Sequence, residues 1–117
     1  MNLSELTLDN VKRSAETIVN NAPENFVYTA PVLDEKCVYV YNGEPSCLVG
    51  QILADNDFPV SIMETWDDRP NSSITHILAE EPEVDIQVIK YLRVLQIKQD
   101  GCDTWQTALA EANLIYS

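Results

Sequence analysis

The chain reads as an α+β protein. It is expected to be a single domain over residues 1–117, mostly helical, with a two-stranded antiparallel β-hairpin packed on four to six helices. Three observations predict this. Apolar residues recur at helical spacing in several separate stretches. One stretch, Cys37-Val38-Tyr39-Val40-Tyr41, is β-branched and aromatic, with apolar residues on both alternating faces. And 117 residues with 45% hydrophobic content suit one core in one domain.

The elements follow in order. Leu8, Val11, Ala15, Ile18, Val19 and Ala22 share a face, so a helix is expected from about Leu8 to Asn21. Thr7 or Ser4 can cap it, and Pro23 forbids its continuation. Phe26 to Ala30 reads as a short strand stopped by Pro31. The connection VLDEK then leads to the strand Cys37–Tyr41, which suggests that these two strands form the hairpin. Asn42-Gly43 marks a tight turn.

Ser46 is the expected cap of a helix from Cys47 to Ala54, which Asp55-Asn56-Asp57 ends. Pro59 suits the first turn of a short helix carrying Ile62, Met63 and Trp66. After the loop DDRPN, Ser72 or Ser73 starts another short helix with Ile74, Ile77 and Leu78 apolar. Pro82 opens the longest helix, expected from Glu83 to Gln99. Its stripe is Val84, Val88, Tyr91, Leu92 and Leu95, widened by Ile86, Ile89, Val94 and Ile97. Gly101 is the expected left-handed stop. Asp103 is then expected to cap a last helix with Trp105, Ala108, Leu109, Ala112 and Ile115 on its apolar face.

Charge narrows the function. Nineteen acids oppose seven bases, for a net −12. Phosphate backbones and anionic bilayers are held by Lys and Arg, so neither nucleic acid nor membrane is an expected partner. No apolar run is long enough to span a bilayer. The opening MNLSELTLDN lacks the basic start and greasy run of a signal peptide, so a cytoplasmic location is expected. Cys37, Cys47 and Cys102 are an odd set and are expected to be reduced thiols.

Three constellations bear on chemistry. Cys47 stands at or near a helix start, where unpaired N–H groups favour a thiolate, and the only histidine, His76, is its one candidate base. Against this catalytic dyad stands the plainer expectation that the thiols and the imidazole are packing atoms. Three cysteines and one histidine also match a zinc ligand count, but no closely paired spacing supports it, so no metal or cofactor is expected. From Asp55 to Asp85 nine acids face one base, Arg69. Such charge serves solubility first. It also suits a surface that docks a basic protein, or one that imitates the phosphate path of DNA. Trp66, Asp67, Asp68, Glu80 and Glu81 are the candidate contact residues. The apolar helical pattern around Trp66 makes core its default reading, and its place at the edge of the DDRPN loop would make it a contact anchor if partly exposed.

Two runs carry a resemblance. One is Pro23-Glu24-Asn25-Phe26-Val27-Tyr28 followed by Cys37-Val38-Tyr39 and Asn42-Gly43-Glu44-Pro45-Ser46-Cys47-Leu48-Val49-Gly50. The other is Leu92-x-x-Leu95-Gln96-x-x-Gln99-Asp100-Gly101 with Trp105-x-x-Ala108-Leu109. The chain resembles small uncharacterised proteins of actinobacteria and their bacteriophages that carry a C-x-Y…N-G-x-P-S-C-L-V-G motif. The resemblance implies no activity and no site residue. It does imply a phage accessory protein that acts by binding one host protein. The leading expectation is therefore a non-enzymatic interaction protein. A Cys47–His76 enzyme and a DNA-mimic inhibitor are the alternatives.

Overall fold

A computed structural model describes residues 6–29, 38–68 and 73–116. The expected Ser4 and Ser72 caps, the end of the first strand at Ala30, the stop at Pro31, the VLDEK connection, Cys37 and Arg69 all lie outside them. Among the described residues there are six helices and one two-stranded antiparallel sheet. They run in the order α1 (Leu8–Asn21), β1 (Val40–Tyr41), β2 (Glu44–Pro45), α2 (Leu48–Asp55), α3 (Val60–Trp66), α4 (Ile74–Leu78), α5 (Ile86–Asp100) and α6 (Trp105–Ile115). This is the mostly helical α+β architecture that the periodicity predicts. One hydrophobic cluster draws on β1 and all six helices. α5 is central, with α1, α2, α4 and α6 all packed against it.

The hairpin differs from expectation. β1 pairs with Glu44–Pro45, not with Phe26–Ala30, in the register Val40↔Pro45 and Tyr41↔Glu44. The loop between them is Asn42-Gly43, with φ of 54° and 79°. A two-residue loop needs both central residues left-handed so that its twist matches the strands, and Asn-Gly supplies that at least cost. Phe26–Thr29 form no strand. Their work is aromatic instead. Phe26 meets Trp105 edge to face at 4.6 Å, Tyr28 stacks on it at 6.2 Å, and the Phe26 carbonyl accepts the Trp105 N–H at 2.9 Å.

Three caps also shift. Thr7 and Ser73 cap α1 and α4 as expected. α5, however, begins at Ile86, because the Asp85 carboxylate accepts the Gln87 N–H at 2.8 Å and so caps a later start than Pro82 implied. Val84 and Ile89, both buried, then stand at the two positions of a hydrophobic staple. At the other end Gly101 is not left-handed (φ −82°); Cys102 is, at 68°. The Cys102 N–H reaches the Gln99 carbonyl and the Asp103 N–H the Lys98 carbonyl, each at 3.0 Å. That closes α5 with a Schellman motif one residue later than the glycine suggests. α6 starts at Trp105, so Thr104 rather than Asp103 holds the cap position, accepting the Thr107 N–H at 3.0 Å.

The apolar stripes are narrower than read. Ile62, Ile86, Ile97 and Ile115 are each about half exposed or more, while the rest of the α5 stripe is buried apart from the partly covered Val94. α1 and α6 meet where Lys12 Nζ donates to the Tyr116 carbonyl at 2.8 Å. Tyr91 lies beneath and donates to Asn113 Oδ1 at 2.8 Å.

Two expectations follow. A left-handed cysteine is strained where glycine is not, so Cys102→Gly should raise stability by about 1 kcal/mol, read as a higher urea midpoint. Burial first, and the Glu16 carboxylate second, hold the Tyr91 hydroxyl protonated well above the ordinary tyrosine range. Above about pH 10 the unfolded tyrosine ionises while the folded one does not, so the unfolded state binds fewer protons. Stability should therefore fall as pH rises past that point, and Tyr91→Phe should flatten the slope in urea titrations run at increasing pH.

Candidate functional site

The motif around Cys47 is built into the fold. The Ser46 N–H donates to the Tyr39 carbonyl at 2.8 Å and the Cys47 N–H to the Val38 carbonyl at 2.9 Å, extending the hairpin register past its strands. Ser46 does not cap α2. Its hydroxyl bonds the Tyr28 hydroxyl at 2.7 Å, and Cys47 holds the cap position without a side-chain cap bond. Gly50 sits under β1, where a Cβ would lie 2.5 Å from the Tyr39 carbonyl oxygen. Only glycine allows the strand and the helix to approach so closely.

Cys47 is fully buried, with 0% exposure. His76 lies on α4, exposed. The sealed thiol and the open imidazole thus stand on separate helices, each packed on α5. The expectation that all these groups are packing atoms holds for Cys47 alone among those described, since Cys102 is exposed too. His76 stands on the exposed face of α4, opposite its buried Ile74, Ile77 and Leu78, and Cys102 lies in the turn that ends α5.

The candidate contact residues divide. Trp66 is 7% exposed and packs between Tyr39 at 5.4 Å and Phe58 at 5.2 Å. It is a core ring, the default reading of its apolar helical pattern, and not the partly exposed anchor that the loop beside it suggested. Asp67 is also occupied. Its Oδ1 accepts the Tyr39 N–H at 2.9 Å and its Oδ2 the Val40 N–H at 3.1 Å. A carboxylate that takes two adjacent strand N–H groups seals an edge that water or another chain would otherwise claim. Asp55 accepts the Ser14 hydroxyl at 2.6 Å, and Asp85 caps α5. Asp68, Glu80, Glu64 and Glu83 remain exposed, and Glu81 half-exposed. Among the described residues no three acidic, cysteine or histidine side chains converge to hold a metal ion.

Sequence reasoning passed over two glutamines. Gln96 and Gln99 stand on the buried side of α5, 5% and 3% exposed. Gln99 Oε1 accepts the Leu48 N–H, at the start of α2, at 2.9 Å, and the Trp105 indole N–H at 3.2 Å. Gln96 Oε1 accepts the Ile74 N–H, at the start of α4, at 2.7 Å, and its Nε2 donates to the Tyr39 hydroxyl at 2.8 Å. Each amide caps another helix from the side. The available signal was a polar residue at each of two core-facing positions of an amphipathic pattern.

A shallow groove was also missed, because its walls come from several elements. Two adjoining hollows share Ile18 and Gln51. One, of about 360 Å³, is walled by Pro23, Phe26 and Trp105. The other, of about 470 Å³, is walled by Glu44, Pro45 and Asp55. None of the candidate residues read from the sequence lines either hollow.

No protein-family model matches the chain, and neither a curated protein nor a solved structure does.

Gln99→Ala would leave the Leu48 N–H and the Trp105 indole N–H buried without an acceptor. The expected cost is about 3 kcal/mol in urea unfolding, well above that of an exposed Gln106→Ala control.

Proposed function

We propose that this chain is a non-enzymatic interaction protein, of the phage accessory type, that captures a basic protein partner on its acidic middle segment. One observation carries the reading: nine acids face a single base between Asp55 and Asp85. Three of them, Asp55, Asp67 and Asp85, are spent on internal hydrogen bonds. Asp68 and Glu80 are exposed and Glu81 is partly exposed, so all three add to the negative field at the surface. A field of this sign draws in a basic partner and turns away polyanions. The burial of Cys47 weighs for this reading over the thiol enzyme, since a nucleophile needs an approaching substrate.

The test separates charge from fold. Asp68→Lys, Glu80→Lys and Glu81→Lys are combined in one variant, leaving Asp67 to hold β1. The wild-type chain is expected to retain a basic protein from host lysate and to release it as salt rises. The variant should lose at least tenfold of that capture while its circular dichroism stays unchanged. Equal capture by the variant would remove this surface as the interface.

A further inference from the structure

The acidic segment ends at Asp85, and the next thirteen residues reverse the sign. From Ile86 to Lys98 the chain carries Lys90, Arg93 and Lys98 and no acid at all. α5 is otherwise the core helix, yet one line along it faces solvent. Ile86, Lys90, Arg93 and Ile97 follow one another at spacings of four, three and four residues, and all four are exposed. Ile86 is 56% and Ile97 51% exposed. Such spacing keeps side chains on one helix face, here over about 16 Å. Among the described residues, neither Lys90 nor Arg93 has an ion-pair or hydrogen-bond partner. α6, packed alongside, adds one charge only, the half-buried Glu111.

We propose that this stripe docks an acidic amphipathic helix of another protein, with Ile86 and Ile97 as apolar anchors and Lys90 and Arg93 pairing its carboxylates. The geometry selects the occupant. A second copy of the same stripe, laid antiparallel, sets Ile86 against Ile97 but Lys90 against Arg93, and like charges meet. A bilayer or a nucleic acid presents an extended anionic surface and meets the net −12 of the molecule as well. A single helix covers little more than the stripe, and charges farther away than a Debye length of about 8 Å are largely screened from it. An amphipathic partner helix is read along one face at helical spacing, which the exposed line from Ile86 to Ile97 matches, while Lys90 and Arg93 set the charge it must carry. The stripe is opposite in sign to the surface proposed above for a basic partner, so the two sites would take different proteins.

The probe is a synthetic helical peptide of about five turns, with two leucines eleven residues apart and glutamates between them. It is titrated to roughly 1 mM against the full chain, followed by backbone-amide NMR. Shifts confined to residues 86–97 are expected. The double variant Lys90→Glu with Arg93→Glu should weaken binding about tenfold or more, and a lysine version of the peptide should restore it. Both positions are exposed, so the variant is expected to keep the fold, which its amide spectrum reports directly. The proposal is overturned by any of four results: no shifts on α5, shifts centred elsewhere, equal binding of the glutamate and lysine peptides, or tighter binding of the chain to phosphatidylserine vesicles. Concentration-dependent shifts of the stripe without peptide would overturn it in favour of a second copy.

Discussion

Two side-chain amides on α5 hold the start of two other helices, and the arrangement of the core depends on them. A helix N-terminus driven into a core exposes N–H groups that have no intrahelical acceptor. α2 and α4 both face this demand against α5, and Gln99 and Gln96 meet it at 2.9 and 2.7 Å. The same amides engage the Trp105 indole and the Tyr39 hydroxyl, so α6 and β1 are tied to the same helix. Asp67 completes the frame by taking the two N–H groups of the hairpin edge. Among the described residues no buried side-chain polar atom lacks a partner. A fully satisfied buried network fixes one arrangement, because any slip leaves several groups unpaired at once.

This frame explains the residues that carry the resemblance. In the segment from Ser46 to Gly50, Ser46 ties to Tyr28, Cys47 fills the core, Leu48 presents an N–H to Gln99, and Gly50 lets β1 lie on α2. Gln96, Gln99 and Trp105, from the second run, are the other half of the same contacts. The two runs are distant in sequence and adjacent in the fold. Packing brings them together: Gln99 reaches Leu48 and Trp105, and Gln96 reaches Tyr39. The charge is divided in sign between the acids up to Asp85 and the bases of α5.

The limits of sequence reading show at particular residues. Thr7, Ser73 and the buried stripe of α5 were legible because a cap and a 3.6-residue period are local signals. Asp67 and the anchor reading of Trp66 were misread because composition places both beside a charged loop, whereas Asp67 is bonded to Tyr39 and Val40 and the Trp66 ring packs in the core that its helical pattern indicates. Gly101 misled because glycine permits a left-handed stop without requiring one, and Cys102 took the strain.

The sequence by itself determined the helical character, the positions of the helices to within a few residues, and the separation of acidic from basic stretches, since all three rest on neighbours along the chain. Only the tertiary structure decided which strand pairs with β1, which acids remain at the surface, and which distant amides take the first N–H groups of α2 and α4. Those outcomes depend on partners such as Gln99, 51 residues from the N–H it accepts, and no local pattern encodes which distant group will arrive.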